Sequence, residues 1–241
     1  MILTSDDIIL FSGDSITHGN RGLCMDCNHI MGHGYQYIAA AQLALKYSAE
    51  MPRFINKGYS GYTMPMLFEK WQEDVIANKP TVLSILVGVN DCHSGCNQGK
   101  SIDEITEKYK KSMTEAIELT KKECPGVKVM ICEPFYFPLD KTYLDYRNTP
   151  HPDCEPEFLR PDRDDTDEMC AVRLETVKSI QKAAREVTES CADIFVPLYD
   201  RLSAEISKSK PEYFIWDGTH PTIAGHAVIA EEWLKALEAL K

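Results

Sequence analysis

Three short polar motifs contain the residue types of a nucleophilic site. Gly13-Asp14-Ser15-Ile16-Thr17 supplies a serine, Gly88-Val89-Asn90-Asp91 supplies an asparagine, and Asp217-Gly218-Thr219-His220-Pro221 places an aspartate three residues before a histidine. A serine hydroxyl becomes a nucleophile when a base within hydrogen-bond reach takes its proton and a carboxylate orients that base. We therefore predict Ser15 as the nucleophile, His220 as the base and Asp217 as the orienting carboxylate.

The elements that must position these residues follow an alternating pattern. Short β-rich apolar runs alternate with longer segments of helical period, which is typical of a parallel sheet covered by helices on both faces. Ligands of such sheets bind beyond the carboxyl ends of the strands, and the first two motifs lie there. The predicted strands are Ile8–Ser12, Arg53–Asn56, Val82–Val87, Val127–Cys132 and Asp193–Leu198.

Four segments show apolar residues at helical spacing, so we predict helices that each pack one side on the sheet. Ser101 and Glu104 form a capping box at the start of one of them. The apolar stripes begin and end at Met64 and Val75, Ile102 and Ala116, Cys170 and Val187, and Ile223 and Leu237.

The 241 residues contain no internal repeat and no low-complexity linker. We therefore predict a single domain over residues 1–241, with a long loop insertion around 138–167 that is rich in Pro, Asp and Arg. A connection of this length is unusual in a compact domain. A lid, an interface loop and a plain surface insertion are open alternatives for it.

Taken together, the motifs resemble the sequence blocks of the SGNH (GDSL-type) hydrolase superfamily. Gly13-Asp14-Ser15 matches the first block, residues 56–61 the second, residues 88–91 the third and residues 217–220 the last. The order Ser, Asp, His is also that of α/β-hydrolases, but the chain has no Gly-x-Ser-x-Gly elbow. The resemblance implies an α/β class, three-layer α/β/α, flavodoxin-like fold whose five-stranded parallel sheet has the order 2-1-3-4-5.

The resemblance also implies an oxyanion hole. Its donors would be the backbone N–H groups of Ser15 and Gly61 and the side-chain amide of Asn90. Such donors suit ester cleavage, because the tetrahedral intermediate carries negative charge on the former carbonyl oxygen. We interpret Asp14 and Asp91 as braces of the neighbouring loops, with ordinary capping as an equal alternative.

Residues 70–76, 133–136 and 216–221 resemble the intracellular acetylxylan (acetyl-xylo-oligosaccharide) esterases of this superfamily. The implied function is a serine esterase that removes small acyl groups, chiefly acetyl, from xylo-oligosaccharides or other short glycans through an acyl-enzyme. A GDSL-type lipase or thioesterase acting on longer acyl esters is the alternative. The candidates for stacking on a sugar ring, with core packing as the other interpretation, are Tyr59, Tyr62, Tyr136 and Trp216.

The charge balance argues against nucleic acid and membrane partners. The chain has 37 acidic and 26 basic residues, a formal charge of −11, whereas a phosphate binder usually needs the opposite sign. It contains no apolar run of the roughly 18 residues that a membrane-spanning helix needs, and its start lacks the features of a secretory signal. We expect a cytoplasmic enzyme whose partner is a small acylated carbohydrate, with no cofactor or metal. Since related esterases are often oligomeric, a homo-oligomer stays open.

The cysteines and the other histidines have no predicted role in the reaction. Cys24 and Cys27 follow the first predicted strand and Cys92 and Cys96 the third, so the two pairs lie after neighbouring strands of the sheet. Free thiols, two disulfides and a four-cysteine zinc site are the alternatives. The other histidines, His226 among them, are interpreted as loop or cap residues. A catalytically idle subunit and a nucleotide binder are the competing classes, and no Gly-x-Gly-x-x-Gly or Walker motif supports the latter.

Overall fold

A computed structural model describes residues 2–22, 29–139 and 166–240. At its centre lies a five-stranded sheet in the order β2-β1-β3-β4-β5, with every neighbouring pair parallel. This confirms the predicted class and strand order, and each observed strand end lies within two residues of its predicted position. The strands are β1 (Ile8–Gly13), β2 (Arg53–Gly58), β3 (Val82–Leu86), β4 (Lys128–Cys132) and β5 (Ile194–Val196).

Helices cover both faces of the sheet and produce the predicted three layers. They are α1 (Ser15–His18), α2 (Tyr35–Lys46), α3 (Met64–Glu69), α4 (Trp71–Asp74), α5 (Val89–Asn97), α6 (Ile102–Glu123), α7 (Asp167–Cys191), α8 (Tyr199–Ile206) and α9 (Ile223–Ala239), with 3₁₀ turns at Ile76–Asn78 and Pro211–Tyr213. The predicted capping box of α6 is present, since Ser101 and Glu104 each accept from the other's backbone N–H.

Alternate residues of the strands feed two separate cores. Leu10 and Ile85 pack with α3, α5, α6 and α7 on one face. Ile9 and Phe11 pack with α2 and α9 on the other face. Because both faces are covered, the central strands are buried along their length, which explains their nearly continuous apolar sequences.

Two of the predicted helical stripes differ from the structure. The stripe from Met64 to Val75 forms two helices, because at Lys70 the backbone N–H bonds to the carbonyl of Leu67 and the helical ladder is interrupted. Ile223, predicted as core, is 89% exposed. Instead, the first turn of α9 packs through Gly225 on the Phe214 carbonyl. A Cβ added at Gly225 would lie only 2.1 Å from that oxygen.

Several predictions fall partly outside the described residues. Most of the 138–167 loop and both Cys24 and Cys27 lie there, so the single-domain prediction and the four-cysteine alternatives stay open. Cys92 and Cys96 lie on α5 and form no disulfide with another described cysteine, and Cys92 Sγ donates to the Arg173 carbonyl at 3.4 Å. Of the helices in the described ranges, none has the length and apolar character needed to cross a membrane.

Candidate active site

Ser15 lies at the carboxyl end of the central strand β1, as the first residue of α1. Gly13 makes this position possible, because a Cβ there would lie 2.3 Å from the Leu86 carbonyl oxygen and 2.4 Å from Thr17 Oγ1. The next residue, Asp14, caps α1 by accepting from the Ile16 N–H at 3.0 Å. The half-buried Ser15 is therefore held at the edge where the loops of the sheet converge.

A tight loop before α9 carries Asp217 and His220. Its two ends are joined by an antiparallel bridge, with the Trp216 N–H donating to the His220 carbonyl at 3.0 Å. Gly218 supplies a turn conformation with φ of +86°. Within the loop, Asp217 Oδ1 accepts from the backbone N–H groups of Thr219 and His220 at 2.9 and 2.7 Å. These bonds fix the orientation of the carboxylate.

The three predicted triad residues form one chain of hydrogen bonds. Ser15 Oγ lies 2.7 Å from His220 Nε2, and His220 Nδ1 lies 2.7 Å from Asp217 Oδ2. Because the carboxylate can only accept, Nδ1 carries the proton and Nε2 is left to accept from the serine hydroxyl. The structure thus brings together side chains that are 205 residues apart in the chain, in the arrangement that activates a serine.

The charge of Asp217 is stabilised by its partners. Burial alone would raise the pKa of this carboxyl, but the hydrogen bond and charge of His220, together with the two backbone N–H groups, outweigh burial and hold the pKa well below its usual range. Asp217 is therefore an anion at neutral pH and favours a positive charge on the imidazole.

The predicted oxyanion donors lie around the same cavity as Ser15. Gly61 and Asn90 both line this cavity. Asn90 Nδ2 donates one hydrogen to the Tyr62 carbonyl at 3.1 Å, which fixes the amide and leaves its second N–H available. Gly61 is exposed and has φ of +80°, a conformation that favours glycine. Gly61 and Asn90 thus share a cavity with Ser15, and their role as oxyanion donors stays a prediction.

Asp91 and Asp14 are both buried, and each carboxylate accepts from a backbone N–H near the start of a helix. Both carboxylate oxygens of Asp91 lie 3.1 Å from the Met64 N–H, so the residue caps the start of α3 and holds the end of the loop that contains Gly61. For Asp91 this one contact is both a brace and a cap, whereas the contact of Asp14 is the cap of α1. Burial raises the pKa of Asp91 to about 7 and that of Asp14 to about 6.

The cavity around Ser15 measures about 680 Å³ and has a wall of mixed polar and apolar character. Trp216, 38% exposed, lies beside His220 with 6.1 Å between ring centroids. In the ranges 2–22, 29–139 and 166–240, no group of three His, Cys, Asp or Glu side chains could hold a metal ion. The lining residues are Ser15, Ile16, Gly19, Asn20, His33, Ser60, Gly61, Asn90, Trp216, Asp217, His220, Pro221 and His226.

The four aromatic candidates for sugar contact have different environments. Trp216 lines the cavity. Tyr59 and Tyr62 stack on each other at 4.9 Å, and the Tyr59 hydroxyl donates to Asp74. Tyr136 is buried and meets His93 edge-on at 5.3 Å, so stacking on a sugar would require its ring to leave the core. Sugar contact stays a prediction for all four.

Sequence reasoning missed several residues that shape the site. Asn56 is buried at the end of β2, where its side chain donates to the carbonyls of Thr17 and Met31 and accepts from the Gly58 N–H. Since β2 reads Arg-Phe-Ile-Asn-Lys-Gly, its sequence does not distinguish Asn56 from the other polar residues of the strand. Asn20, His33, Ser60 and His226 line the cavity without any sequence signal that separates them from ordinary loop and cap residues.

Comparison with known proteins identifies a family for the chain. The sequence profile of the GDSL-like lipase/acylhydrolase family matches residues 11–228. An acetylxylan esterase from Geobacillus stearothermophilus is 25% identical, over 98% of this chain and 96% of the relative. A solved structure of that esterase superposes with a TM-score of 0.75 at 24% identity, covering 98% and 96% of the two chains. The structure of a protein assigned as a GDSL-like lipase from Parabacteroides merdae gives 0.76 at 28% identity, covering 98% of both chains. The chain is a carboxylic ester hydrolase that belongs to the GDSL-like lipase/acylhydrolase family.

Proposed function

We propose that this esterase removes acetyl groups from short glycans, xylo-oligosaccharides among them, through an acyl-enzyme on Ser15. The observation that carries the proposal is the hydrogen-bonded chain of Ser15, His220 and Asp217 at a cavity whose wall includes several polar side chains. The likeness to an acetylxylan esterase supports the substrate class. Solved structures of that esterase include catalytic mutants of a serine, an aspartate and a histidine, the same three residue types.

In the acylation step, Ser15 Oγ attacks the ester carbonyl carbon while His220 Nε2 takes the hydroxyl proton. The negative charge that develops on the carbonyl oxygen is stabilised by the N–H groups of Ser15, Gly61 and Asn90. Loss of one such donor typically lowers kcat by about 10²–10³-fold. His220 then gives its proton to the leaving alcohol oxygen as the carbon–oxygen bond breaks, and the acetyl group stays on Ser15.

In the deacylation step, water replaces the alcohol. His220 removes a proton from the water, the oxygen attacks the acetyl carbon, and acetate leaves as Ser15 regains its proton. Asp217 keeps the imidazole oriented through both steps and stabilises its positive charge.

The cavity supports a polar alcohol more than a long acyl chain. Hydroxyl, amide and imidazole groups of Asn20, His33, Ser60 and His226 occupy its wall, and its volume of about 680 Å³ far exceeds an acetyl group. A polyhydroxylated alcohol can satisfy such groups, whereas an aliphatic chain would leave them without partners. A lipase or thioesterase reaction on longer esters is the alternative, supported by the likeness to the Parabacteroides protein.

The experiment compares acetate release from acetylated xylo-oligosaccharides and other acetylated sugars with hydrolysis of p-nitrophenyl esters from acetate to octanoate. We expect acetate to be preferred over octanoate and the sugar acetates to be deacetylated. Ser15→Ala should lower every rate at least about 10³-fold while the fold is retained. A preference for octanoate would favour the lipase alternative, and turnover by Ser15→Ala at the wild-type rate would refute the acyl-enzyme.

A further inference from the structure

His226 is a buried side chain that lines the catalytic cavity and has no part in acylation or deacylation. It lies in the first turns of α9, six residues after His220, and only 7% of it is exposed. Its Nδ1 atom accepts a hydrogen bond from the backbone N–H of Tyr35 at 3.1 Å. Tyr35 is the first residue of α2, so this N–H has no partner within its own helix.

This bond determines the state of the imidazole. Because Nδ1 accepts, the proton of the neutral ring is on Nε2, and protonation of Nδ1 would set two N–H groups against each other. Burial, with His33 and His220 nearby, lowers the pKa of His226 to about 4, so the ring is uncharged at neutral pH. The start of α2 carries partial positive charge, and its hydrogen bond to Nδ1 polarises the ring. This polarisation makes Nε2–H a stronger donor. Within the described part of the chain, no group accepts a hydrogen bond from Nε2.

His226 and the predicted oxyanion donors belong to helices and loops on opposite faces of the sheet. Asn90 starts α5 and Gly61 precedes α3, and both helices cover one face of the sheet. His226 on α9 and His33 just before α2 belong to the helices of the other face, with 6.4 Å between their ring centroids. With the carbonyl oxygen held by Gly61 and Asn90, the other wall is left for the rest of the ester. The methyl of an acetyl group fills little of it, so the alcohol occupies most of that space.

We propose that His226 determines specificity for the alcohol half of the ester, by donating a hydrogen bond from Nε2 to a hydroxyl or ring oxygen of the sugar. This inference rests on the proposed glycan deacetylation. An alcohol without an acceptor at that place leaves a cavity N–H unpaired and is selected against. His226 is thus a specificity-determining residue, whereas His220 performs the proton transfers.

Two substitutions test the two ring nitrogens of His226 separately. In His226→Asn the amide oxygen can take the place of Nδ1 and keep the bond from Tyr35, but no atom reaches the place of Nε2. In His226→Gln the amide nitrogen can reach the place of Nε2, but the acceptor for Tyr35 is lost. The readout is the ratio of kcat/KM for acetylated xylobiose to kcat/KM for p-nitrophenyl acetate, two acetates that differ in the alcohol.

For His226→Asn we expect this ratio to fall about tenfold, mainly through KM for the sugar, with a melting temperature close to wild type. For His226→Gln we expect a ratio within about threefold of wild type and a lower melting temperature, because a helix N–H is left unpaired. A purely structural role predicts the reverse order, with the larger loss in His226→Gln. An unchanged ratio in a folded His226→Asn, or that reverse order, would overturn the inference.

A measurement on the unaltered protein covers the case in which a variant does not fold. Nitrogen NMR of the histidine rings should show a proton on Nε2 of His226, and titration with xylobiose, the alcohol product, should shift that signal but not the signal of the exposed His29. No shift at saturating xylobiose would refute the contact. If the wild-type enzyme releases acetate from no sugar, the proposed function falls and this inference with it. A different outcome is that the enzyme deacetylates sugars while the kcat/KM ratio is unchanged in His226→Asn and the His226 signal does not respond to xylobiose. In that case the inference about His226 is refuted and the proposed function stands.

Discussion

Two buried aspartates at the site show how individual contacts decide charge. Asp217 and Asp91 are both buried, yet the pKa of Asp217 is held below its usual range and that of Asp91 is raised to about 7. Asp217 faces His220, whose hydrogen bond and charge outweigh the cost of burial. Asp91 accepts from the N–H of Met64 and from its own backbone N–H, and these bonds do not outweigh the effect of burial. The same residue type therefore serves as an anion in one place and, in the other, as a brace that takes up a proton near neutral pH.

The raised pKa of Asp91 predicts a pH-dependent stability. Between the unfolded pKa of about 3.8 and the folded value of about 7, the folded state keeps a proton that the unfolded state has lost, so the contribution of Asp91 to stability falls as pH rises through this window. Asparagine does not titrate, so the Asp91→Asn variant lacks this pH-dependent loss of stability. We expect the free energy of unfolding of the variant, relative to wild type, to be higher at pH 8 than at pH 4.5 in urea titrations.

The exposed Glu175→Gln provides the reference for loss of a carboxylate without burial. If the difference between Asp91→Asn and wild type were the same at both pH values, or smaller at pH 8, the pKa of the buried carboxyl could not be raised.

At the scale of elements, the first turn of α5 holds the loop between β2 and α3. Asn90 donates to the Tyr62 carbonyl and Asp91 accepts from the Met64 N–H, so two consecutive side chains fix both ends of a three-residue stretch next to Gly61. The loop after β2 is therefore positioned by the helix that follows β3, although β1 lies between these two strands in the sheet. The N–H of Gly61 depends on this support for its direction.

A matched pair of glycines tests the role of this loop. Gly61 and Gly99 have φ of +80° and +68°, and a Cβ at either would meet no atom within 4 Å. Alanine at either position should therefore cost a similar roughly 1–2 kcal/mol of stability, since a left-handed conformation is strained for any L side chain. Only Gly61→Ala should lower kcat, by about 10²-fold or more, because relief of the strain would turn away a backbone N–H that is a proposed oxyanion donor.

Urea unfolding and kcat for p-nitrophenyl acetate provide the two readouts. Gly99 lies between α5 and α6 and is not part of the cavity wall, so its variant should keep wild-type kcat. Equal kcat losses in both variants, or none in Gly61→Ala, would remove Gly61 from the oxyanion hole.

Much of this arrangement can be predicted from the sequence, for local reasons. The strands and the α6 start follow from apolar runs and from the Ser101–Glu104 box, and the convergence of Ser15 with His220 follows from parallel topology. The break at Lys70 and the role of His226 could not be predicted. Both depend on which side of a helix faces its neighbours. The spacing of apolar residues does not determine this, because Ile223 belongs to the predicted stripe of α9 and is exposed.

At the scale of the whole molecule, one sheet supports two cores. Trp71 lies in the core of one face, with its indole N–H donating to Thr120 Oγ1 at 2.8 Å. Trp233 lies in the core of the other face and donates to Ser84 Oγ of β3 at 2.9 Å. Since β1, β3 and β4 contribute side chains to both cores, disruption of either exposes the sheet to water. The single-domain prediction therefore implies that the two layers unfold together.

Native-state hydrogen exchange in increasing urea measures this consequence. Ile117 on α6 and Ile229 on α9 are fully buried in opposite layers. We expect their amides to exchange with the same free energy of opening, and with the same urea dependence, because both require global unfolding. Two distinct free energies that vary separately with urea would show that the layers unfold independently and would contradict the single domain.

The central claim is that Ser15 is the nucleophile activated by His220. Labelling with a fluorophosphonate, followed by intact-mass and peptide mass spectrometry, tests this claim most directly. We expect one adduct per chain, located on Ser15, absent in Ser15→Ala and formed far more slowly in His220→Ala. An adduct on another residue, or labelling of Ser15→Ala at the wild-type rate, would contradict the claim.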